Sequence, residues 1–179
     1  MNSSIIISSS NPGSESFFEL REIKDLFKFI GVNGGIITFI IVCMAIYPSV
    51  FYIVAFIIGV FVNIQLNKIL KCVFKEPRPS NKYSSNSPYE GGVDGKWGFP
   101  SGHAQVTSYA FIYLLLVKPK KTVFLILLGI FLCISVIQRY VYNKHTLTQL
   151  IAGLFIGSTF AFFYIWLITF IRPYIASFN

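Results

Sequence analysis

The stretch TVFLILLGIFLCISVIQRYVYNKHTLTQLIAGLFIGSTFAFFYIWLITFI (Thr122–Ile171) contains two long apolar runs separated by a short polar segment. The runs, Thr122 to Ile137 and Leu147 to Ile171, approach or exceed the about 20 residues that a bilayer-spanning helix needs. Neither run alternates strictly between apolar and polar residues, and both exceed the roughly 10 residues of a membrane β-strand. This part of the chain therefore predicts two transmembrane helices joined by a polar turn.

Apolar runs of the same kind occupy most of the remaining chain. Hydrophobic residues make up 54% of the 179 residues and charged residues only 12%, a balance far outside the usual range of soluble proteins. Three further spans are predicted upstream, at Ile30 to Ile46, Ser49 to Leu70 and His103 to Val117. We therefore expect an all-α integral membrane protein, a helical bundle of about five transmembrane helices.

The N-terminal region differs from these spans. Residues 1–16 are rich in Ser, Asn and Gly, and they are predicted to be disordered. From Phe17 to Phe29, apolar residues recur at three- and four-residue steps with charged residues between them, which is typical of a helix in the membrane interface. A helix packed on the bundle outside the membrane fits the same pattern. Residues 17–179 are predicted to form a single membrane-embedded domain.

The chain has only two histidines, and each lies beside residues that suit a phosphate ester. The tetrapeptide PSGH ends at His103, and His145 follows Arg139 by six positions. In a five-helix topology the third span begins at His103 and the fourth returns to Arg139, so both histidines lie at the same membrane face. Lys71 and Arg78 follow the second span and lie at that face as well.

These residue types match the needs of a bound phosphate. Arg78 and Arg139 offer planar forks that can each bind two phosphate oxygens, and Lys71 supplies a point charge. Ser101 and Gly102 would lie at the amino end of the third helix, where unpaired N–H groups and the helix dipole favour an anion. A neutral histidine can attack phosphorus, and a second can protonate the leaving oxygen.

The net charge of +8 points to anionic partners. The basic residues lie mainly in connecting segments, so phosphate and lipid headgroups are favoured over nucleic acid. The three cysteines form no CxxC pair and have no histidine at ligand spacing. Neither a metal site nor a disulfide framework is therefore predicted.

Three motifs, Lys71-x6-Arg78-Pro79, Pro100-Ser101-Gly102-His103 and Arg139-x5-His145, resemble the three-part signature of the type 2 phosphatidic acid phosphatase superfamily. The resemblance covers roughly residues 50 to 170. It implies that His145 is the nucleophile that forms a phosphohistidine and that His103 is the general acid. It implies no metal or cofactor, and a phosphate cradle made of Lys71, Arg78, Ser101, Gly102 and Arg139.

Two positions depart from that signature. Gln138 replaces the serine before the second arginine, and Gln149 replaces the aspartate that orients the nucleophilic histidine. A glutamine carbonyl can accept the ring N–H of His145 and fix its tautomer, although it brings no charge. The stretches EPRP (76–79) and HTLTQ (145–149) are similar to the dolichyl diphosphate phosphatase branch, in which glutamine is expected at this position.

The sequence therefore predicts a membrane phosphatase that converts a polyprenyl diphosphate to the monophosphate, with His145, His103 and Gln149 as catalytic residues. Phosphatidate or a related glycerolipid phosphate is the alternative substrate. A catalytically silent lipid-binding membrane protein is the alternative from a different class.

The membrane orientation follows from two opposing signals. Most of the 15 Lys and Arg residues lie on the catalytic face, which a positive-inside count would place in the cytoplasm. All seven acidic residues share that face, and a basic loop with Lys118, Lys120 and Lys121 lies opposite. The resemblance implies a lumenal or extracytoplasmic active site, which is the orientation we favour.

Overall fold

Five helices account for most of the described part of the chain. The computed structural model describes residues 25, 27, 29, 33–79, 96–117 and 122–176. The helices are α1 (Asn33–Ile46), α2 (Val50–Phe74), α3 (Gly102–Val117), α4 (Thr122–Val141) and α5 (Leu147–Ala176). Outside the helices of this part of the chain, an antiparallel bridge pairs Pro77 with Trp97. The expected all-α class is confirmed.

The helices have the length and surface of membrane segments. Among the described residues, α2, α4 and α5 are long and apolar enough to cross a membrane, and α1 and α3 are shorter apolar helices. Their outward faces carry large apolar side chains that a soluble protein would bury. Examples of these exposed side chains are Ile36, Phe61, Val73, Ile130, Phe155, Phe163 and Trp166.

Three helices extend further than the apolar runs predict, and one of them, α5, continues five residues beyond Ile171 to Ala176. α2 and α4 each continue four residues beyond the predicted span, to Phe74 and Val141. The added turns contain Lys71 and Arg139, which are only 3% and 4% exposed. A prediction from hydropathy ends a span at a charged residue. The helix itself can continue where its polar face is buried against other helices. α2 ends where Lys75 adopts the left-handed conformation, with a φ of 49°.

The most extensive helix contact joins α3 to α5. Gly153 and Gly157, one turn apart on α5, lie directly against α3. A Cβ at Gly153 would lie 3.1 Å from the Cβ of Ala104, and a Cβ at Gly157 would collide with the carbonyl oxygen of Gln105. Small residues allow membrane helices to approach this closely. The first turns of α3 and α5 are consequently held side by side.

Three buried amide side chains join α2 to α3. Gln105 donates from Nε2 to Oδ1 of Asn63 at 2.6 Å, and its Oε1 accepts from Nδ2 of Asn67 at 2.7 Å. Nδ2 of Asn67 also donates to the carbonyl oxygen of Pro100 at 3.2 Å. Buried polar groups must be paired to avoid a desolvation cost. These three residues, the amide ladder, therefore fix the register of α2 against α3.

An aromatic core fills the bundle beyond the amide ladder. The ring of Phe56 lies nearly parallel to that of Tyr109, with 5.7 Å between ring centroids. The hydroxyl of Tyr113 donates to the carbonyl oxygen of Tyr52 at 2.7 Å, and that of Tyr164 donates to Ala55 at 2.7 Å. The bundle interior is thus apolar towards one end and polar towards the other.

Several predicted segments lie outside the described residues. They are the disordered start at 1–16, most of the interfacial helix Phe17–Phe29, most of the loop Asn81–Gly98 and the basic loop at 118–121. Of the N-terminal helix, Asp25, Phe27 and Phe29 are described and are helical. The ring of Phe27 packs against that of Tyr142, with 6.2 Å between centroids.

Candidate active site

The polar end of the bundle is where four helix ends meet. The carboxyl ends of α2 and α4 bring Lys71 and Arg139, and the amino ends of α3 and α5 bring His103 and Gln149. His145 lies in the turn between α4 and α5. Residues that two membrane helices separate in sequence are thereby brought together in one site.

Arg139 contacts His103 directly. Its Nη2 lies 2.9 Å from Nδ1 of the His103 ring, and it also contacts Nε2 of that ring. Arg139 is in the last turn of α4 and His103 is in the first turn of α3. The pair that sequence reasoning placed on one membrane face is therefore in direct contact.

His145 is buried among cationic side chains, with only 3% of its surface exposed. Burial is the main cause that lowers the pKa of His145 from 6.5 to about 3, followed by the charges of Arg78 and Arg139 and then that of Lys71. The hydrogen bond to Gln149 acts in the opposite direction. The imidazole is therefore neutral at physiological pH, which is the form that acts as a nucleophile.

The Nδ1 atom of His145 lies between two oxygen acceptors. It is 3.0 Å from the carbonyl oxygen of Gly98 and 3.1 Å from Oε1 of Gln149. Since a carbonyl oxygen only accepts, Nδ1 carries the ring proton. The unprotonated Nε2 then holds the lone pair that is available for attack.

Gln149 is fully buried and uses both ends of its amide. Oε1 accepts from His145 and from the backbone N–H of Thr146 at 3.3 Å. Nε2 donates to Oε1 of Glu76 at 2.7 Å and to the carbonyl oxygen of Pro77 at 3.0 Å. The sequence predicted the contact with His145, whereas the contacts with Glu76 and Pro77 were not anticipated.

Gly98 is a site residue that sequence reasoning missed. Its carbonyl oxygen accepts from His145, and its N–H donates to the carbonyl oxygen of Glu76 at 2.7 Å. A Cβ at this position would lie 2.6 Å from Nε2 of Gln149, so any other residue would displace the Gln149 side chain or the backbone at 98. In the sequence it is one of several glycines in a loop, and the available signal was its position just before the PSGH motif.

The amino end of α3 differs in one respect from the prediction. The N–H of Ser101 donates to the carbonyl oxygen of Gln149 at 3.0 Å, so it is paired and joins α3 to α5. Gly102 lies close to α2, where a Cβ would be 3.2 Å from Oδ1 of Asn67. The first-turn N–H groups of Gly102 and His103 have no intrahelical acceptor, and they are suited to an anion.

The donor set suits an oxyanion. Among residues 33–79, 96–117 and 122–176, no group of three His, Cys, Asp or Glu side chains is placed to hold a metal ion. Guanidinium, ammonium and helix N–H groups instead converge near His145, and such donors bind phosphate.

Substitution of Arg139 by lysine is expected to reduce kcat/KM by about tenfold or more. Lysine keeps the charge but loses the planar fork, and hydrogen bonds to charged groups contribute roughly 1.5–3 kcal/mol. Arg172→Lys is the matched control, because Arg172 lies near the other end of the bundle and donates to the hydroxyl of Tyr52 at 2.9 Å. Steady-state phosphate release should be nearly unchanged in this control. Equal losses in both variants would contradict the placement of Arg139 in the site.

Comparisons with known proteins concern the family and the fold of the chain. The family model described as "PAP2 superfamily" matches residues 48–173. A similar solved structure is described as the crystal structure of the first transmembrane PAP2 type phosphatidylglycerolphosphate phosphatase from Bacillus subtilis. It has a TM-score of 0.61 and 19% sequence identity, and the match covers 85% of this chain and 78% of that chain. At this identity the likeness concerns the fold. No curated protein matches the sequence.

Proposed function

The chain belongs to the PAP2 superfamily, and we propose that it is a membrane phosphatase that removes the terminal phosphate of a polyprenyl diphosphate. The observation that carries this proposal is the geometry of His145. Two acceptors hold its Nδ1–H, its Nε2 keeps a lone pair, and cationic side chains surround it. A neutral nucleophile in a cationic pocket suits attack on a phosphate ester.

In the first step, the lone pair on Nε2 of His145 forms a bond to the terminal phosphorus. The bridging P–O bond breaks, and its electron pair stays on the leaving oxygen. The negative charge of the bound substrate favours the protonated form of His103 against the effect of Arg139. His103 then transfers its proton to that oxygen, and the polyprenyl monophosphate departs. The protein then carries a phosphohistidine at His145.

In the second step, water attacks this phosphohistidine. His103 takes a proton from the water as the new P–O bond forms, and the P–N bond breaks with its electron pair returning to Nε2. Inorganic phosphate leaves, and both histidines return to their starting states. Lys71, Arg78 and Arg139 stabilise the charge on the phosphoryl oxygens in both steps.

Two substrate classes share this chemistry. Gln149 and the EPRP stretch, which is similar to the dolichyl diphosphate phosphatase branch, favour a polyprenyl diphosphate. The similar solved structure is a phosphatidylglycerolphosphate phosphatase, and this favours a glycerolipid phosphate as the second candidate.

A substrate panel tests the proposal. Purified protein in detergent micelles receives polyprenyl diphosphate, polyprenyl monophosphate, phosphatidate or phosphatidylglycerol phosphate at equal mole fraction, and phosphate release is measured. We expect the highest kcat/KM for the polyprenyl diphosphate. A preference for either glycerolipid would select the second candidate, and no release from any lipid would contradict the phosphatase function.

The same assay tests the proposed metal-independent mechanism. Turnover is expected to be unchanged in EDTA, because His145 is the nucleophile. Vanadate should inhibit, since it adopts the trigonal-bipyramidal geometry of phosphoryl transfer. Activity that is lost on chelation and restored by a divalent ion would contradict a metal-independent mechanism.

We further propose that the active site lies on the lumenal or extracytoplasmic face. Residues 118–121, between the end of α3 and the start of α4 in the sequence, include three lysines, as expected of a cytoplasmic segment. A water-soluble short-chain substrate added to sealed vesicles whose lumenal or extracytoplasmic face points outward should be hydrolysed without detergent. Hydrolysis only after the vesicles are opened would place the site in the cytoplasm.

A further inference from the structure

We propose that Glu76 is a positioning residue for the reaction, and that it acts on His145 through the side chain of Gln149. This inference rests on the proposed phosphatase function and deepens it. Gln149 stands where the family signature carries an aspartate, so the orienting carboxylate is absent from that position. The carboxylate of Glu76 lies one hydrogen bond further from the histidine, on the other side of the Gln149 amide.

The contacts with Glu76 and Pro77 fix the orientation of the Gln149 amide. Its Nε2 is 2.7 Å from a carboxylate oxygen of Glu76 and 3.0 Å from the carbonyl oxygen of Pro77. Both partners are acceptors, so the NH₂ group must face them. The amide oxygen must consequently face His145 and the N–H of Thr146.

The orientation of the Gln149 amide in turn fixes the tautomer of His145. Because the amide oxygen of Gln149 and the carbonyl oxygen of Gly98 only accept, the proton resides on Nδ1 and the lone pair on Nε2. Without Glu76, the amide would lose one of the two acceptors that fix its orientation. A reversed amide would present its NH₂ group to Nδ1 and oppose the nucleophilic tautomer.

Glu76 also affects the positive charge that develops on the His145 ring during the reaction. When His145 forms its bond to phosphorus with Nδ1 still protonated, the ring becomes a cation. A carboxylate that accepts from the Gln149 amide polarises it, and linked hydrogen bonds strengthen one another in a buried site. Glu76 therefore stabilises the charged ring through Gln149, in place of a carboxylate in direct contact.

The backbone around Glu76 is held for this purpose. The N–H of Gly98 donates to the carbonyl oxygen of Glu76 at 2.7 Å, and Pro77 pairs with Trp97. The segment after α2 and the segment before α3 are thereby joined. Together they supply the two acceptors of the Gln149 amide and one of the two acceptors of Nδ1.

Glu76→Gln and the exchange variant Glu76→Gln/Gln149→Glu provide the test. The first variant removes the charge and keeps the shape. The second restores the carboxylate, now in direct contact with His145, and keeps an amide beside it. Asp25→Asn is the matched control, because Asp25 is exposed and its substitution removes the same charge.

We expect Glu76→Gln to lower kcat by about tenfold and to leave KM within about twofold of the parent. Substitution of a residue that orients a functional side chain commonly has an effect of this size. The exchange variant should recover most of this loss. It should also move the acid limb of the kcat/KM profile to higher pH, because a carboxylate against His145 raises the pKa of the ring. The other charged or titratable groups facing this ring are Arg78, Arg139, Lys71 and His103, and they are unchanged in both variants.

A parent-like kcat in Glu76→Gln would overturn the proposal. If that variant does not fold, an exchange variant that folds but is inactive would do the same.

A second readout does not depend on turnover. Since the chain has only two histidines, ¹⁵N-histidine labelling gives two ring systems, and a His103→Asn variant assigns them. The Nδ1–H tautomer of His145 should predominate in the parent protein and fall in Glu76→Leu, because leucine offers no acceptor to Nε2 of Gln149 whereas a glutamine would. An unchanged tautomer would overturn the role of Glu76 even if the parent hydrolysed every lipid tested. A parent that hydrolyses none would reject the phosphatase function, while this spectrum would still decide the role of Glu76.

Discussion

Replacement of His145 by asparagine is expected to reduce phosphate release by about 10⁴-fold or more, because removal of a covalent nucleophile has effects of this size or larger. Asparagine is of similar size and can still donate to the carbonyl oxygen of Gly98, so the fold should persist. It has no lone pair that can form a stable bond to phosphorus. Phosphate release and rapid-quench trapping of ³²P from a labelled substrate measure the loss.

His103→Asn is the informative partner to this variant. Loss of a general acid and base costs about 10²–10⁴-fold, so a smaller effect is expected than at His145. With a substrate whose leaving group needs no proton, the first step should continue while attack by water is slowed. Acid-labile label should then accumulate on the protein. Label that persists in His145→Asn would contradict the assignment of His145 as the nucleophile.

Substitution of Gly98 by alanine is expected to lower kcat by about 100-fold. The new Cβ would lie 2.6 Å from Nε2 of Gln149, so either the Gln149 side chain or the backbone carbonyl at 98 must move. Each movement breaks one of the two hydrogen bonds that fix the tautomer of His145. A 1 Å misplacement of a catalytic group can cost about 10²-fold.

Gly35→Ala is the control for this substitution. A Cβ at Gly35 would meet no atom within 4 Å, and alanine favours the helix in which this residue lies. Steady-state kinetics should show no change in that variant. Parent-like turnover in Gly98→Ala would mean that the contacts of Gly98 with His145 and Gln149 do not matter for catalysis.

The sequence predicted the fold well because membrane helices have a strong local signature. All five apolar runs correspond to helices, and the order of helices follows the order of the runs. The predicted carboxyl ends of α2 and α4 were less accurate, because a prediction from hydropathy ends these helices before the charged residues Lys71 and Arg139. Both residues extend their helices because other helices bury them, and burial of this kind is a tertiary property.

The candidate site was predictable only in part, for a similar reason. His103, Arg139 and His145 were found from residue type and spacing, and Gln149 was found from the family resemblance. The structure places Arg139 against His103 and Gln149 against His145. Their catalytic roles stay predictions. Gly98 was missed because its importance comes from a contact with Gln149, 51 positions later in the chain. Glu76 was noted only as part of the EPRP stretch. Its role was not predicted, because its partner Gln149 lies on α5, 73 positions later in the chain.

The amide ladder also has a consequence for how the protein reaches the membrane. Asn63 and Asn67 lie on one face of α2 in the middle and last part of a span that would otherwise pass readily into lipid. An amide without a hydrogen-bond partner in hydrocarbon costs about 4–8 kcal/mol. These asparagines find their partner in Gln105 of α3, which is synthesised later. The pairing offsets the cost of holding both asparagines in lipid, so we expect α2 to be more stable in the membrane once α3 has been inserted beside it.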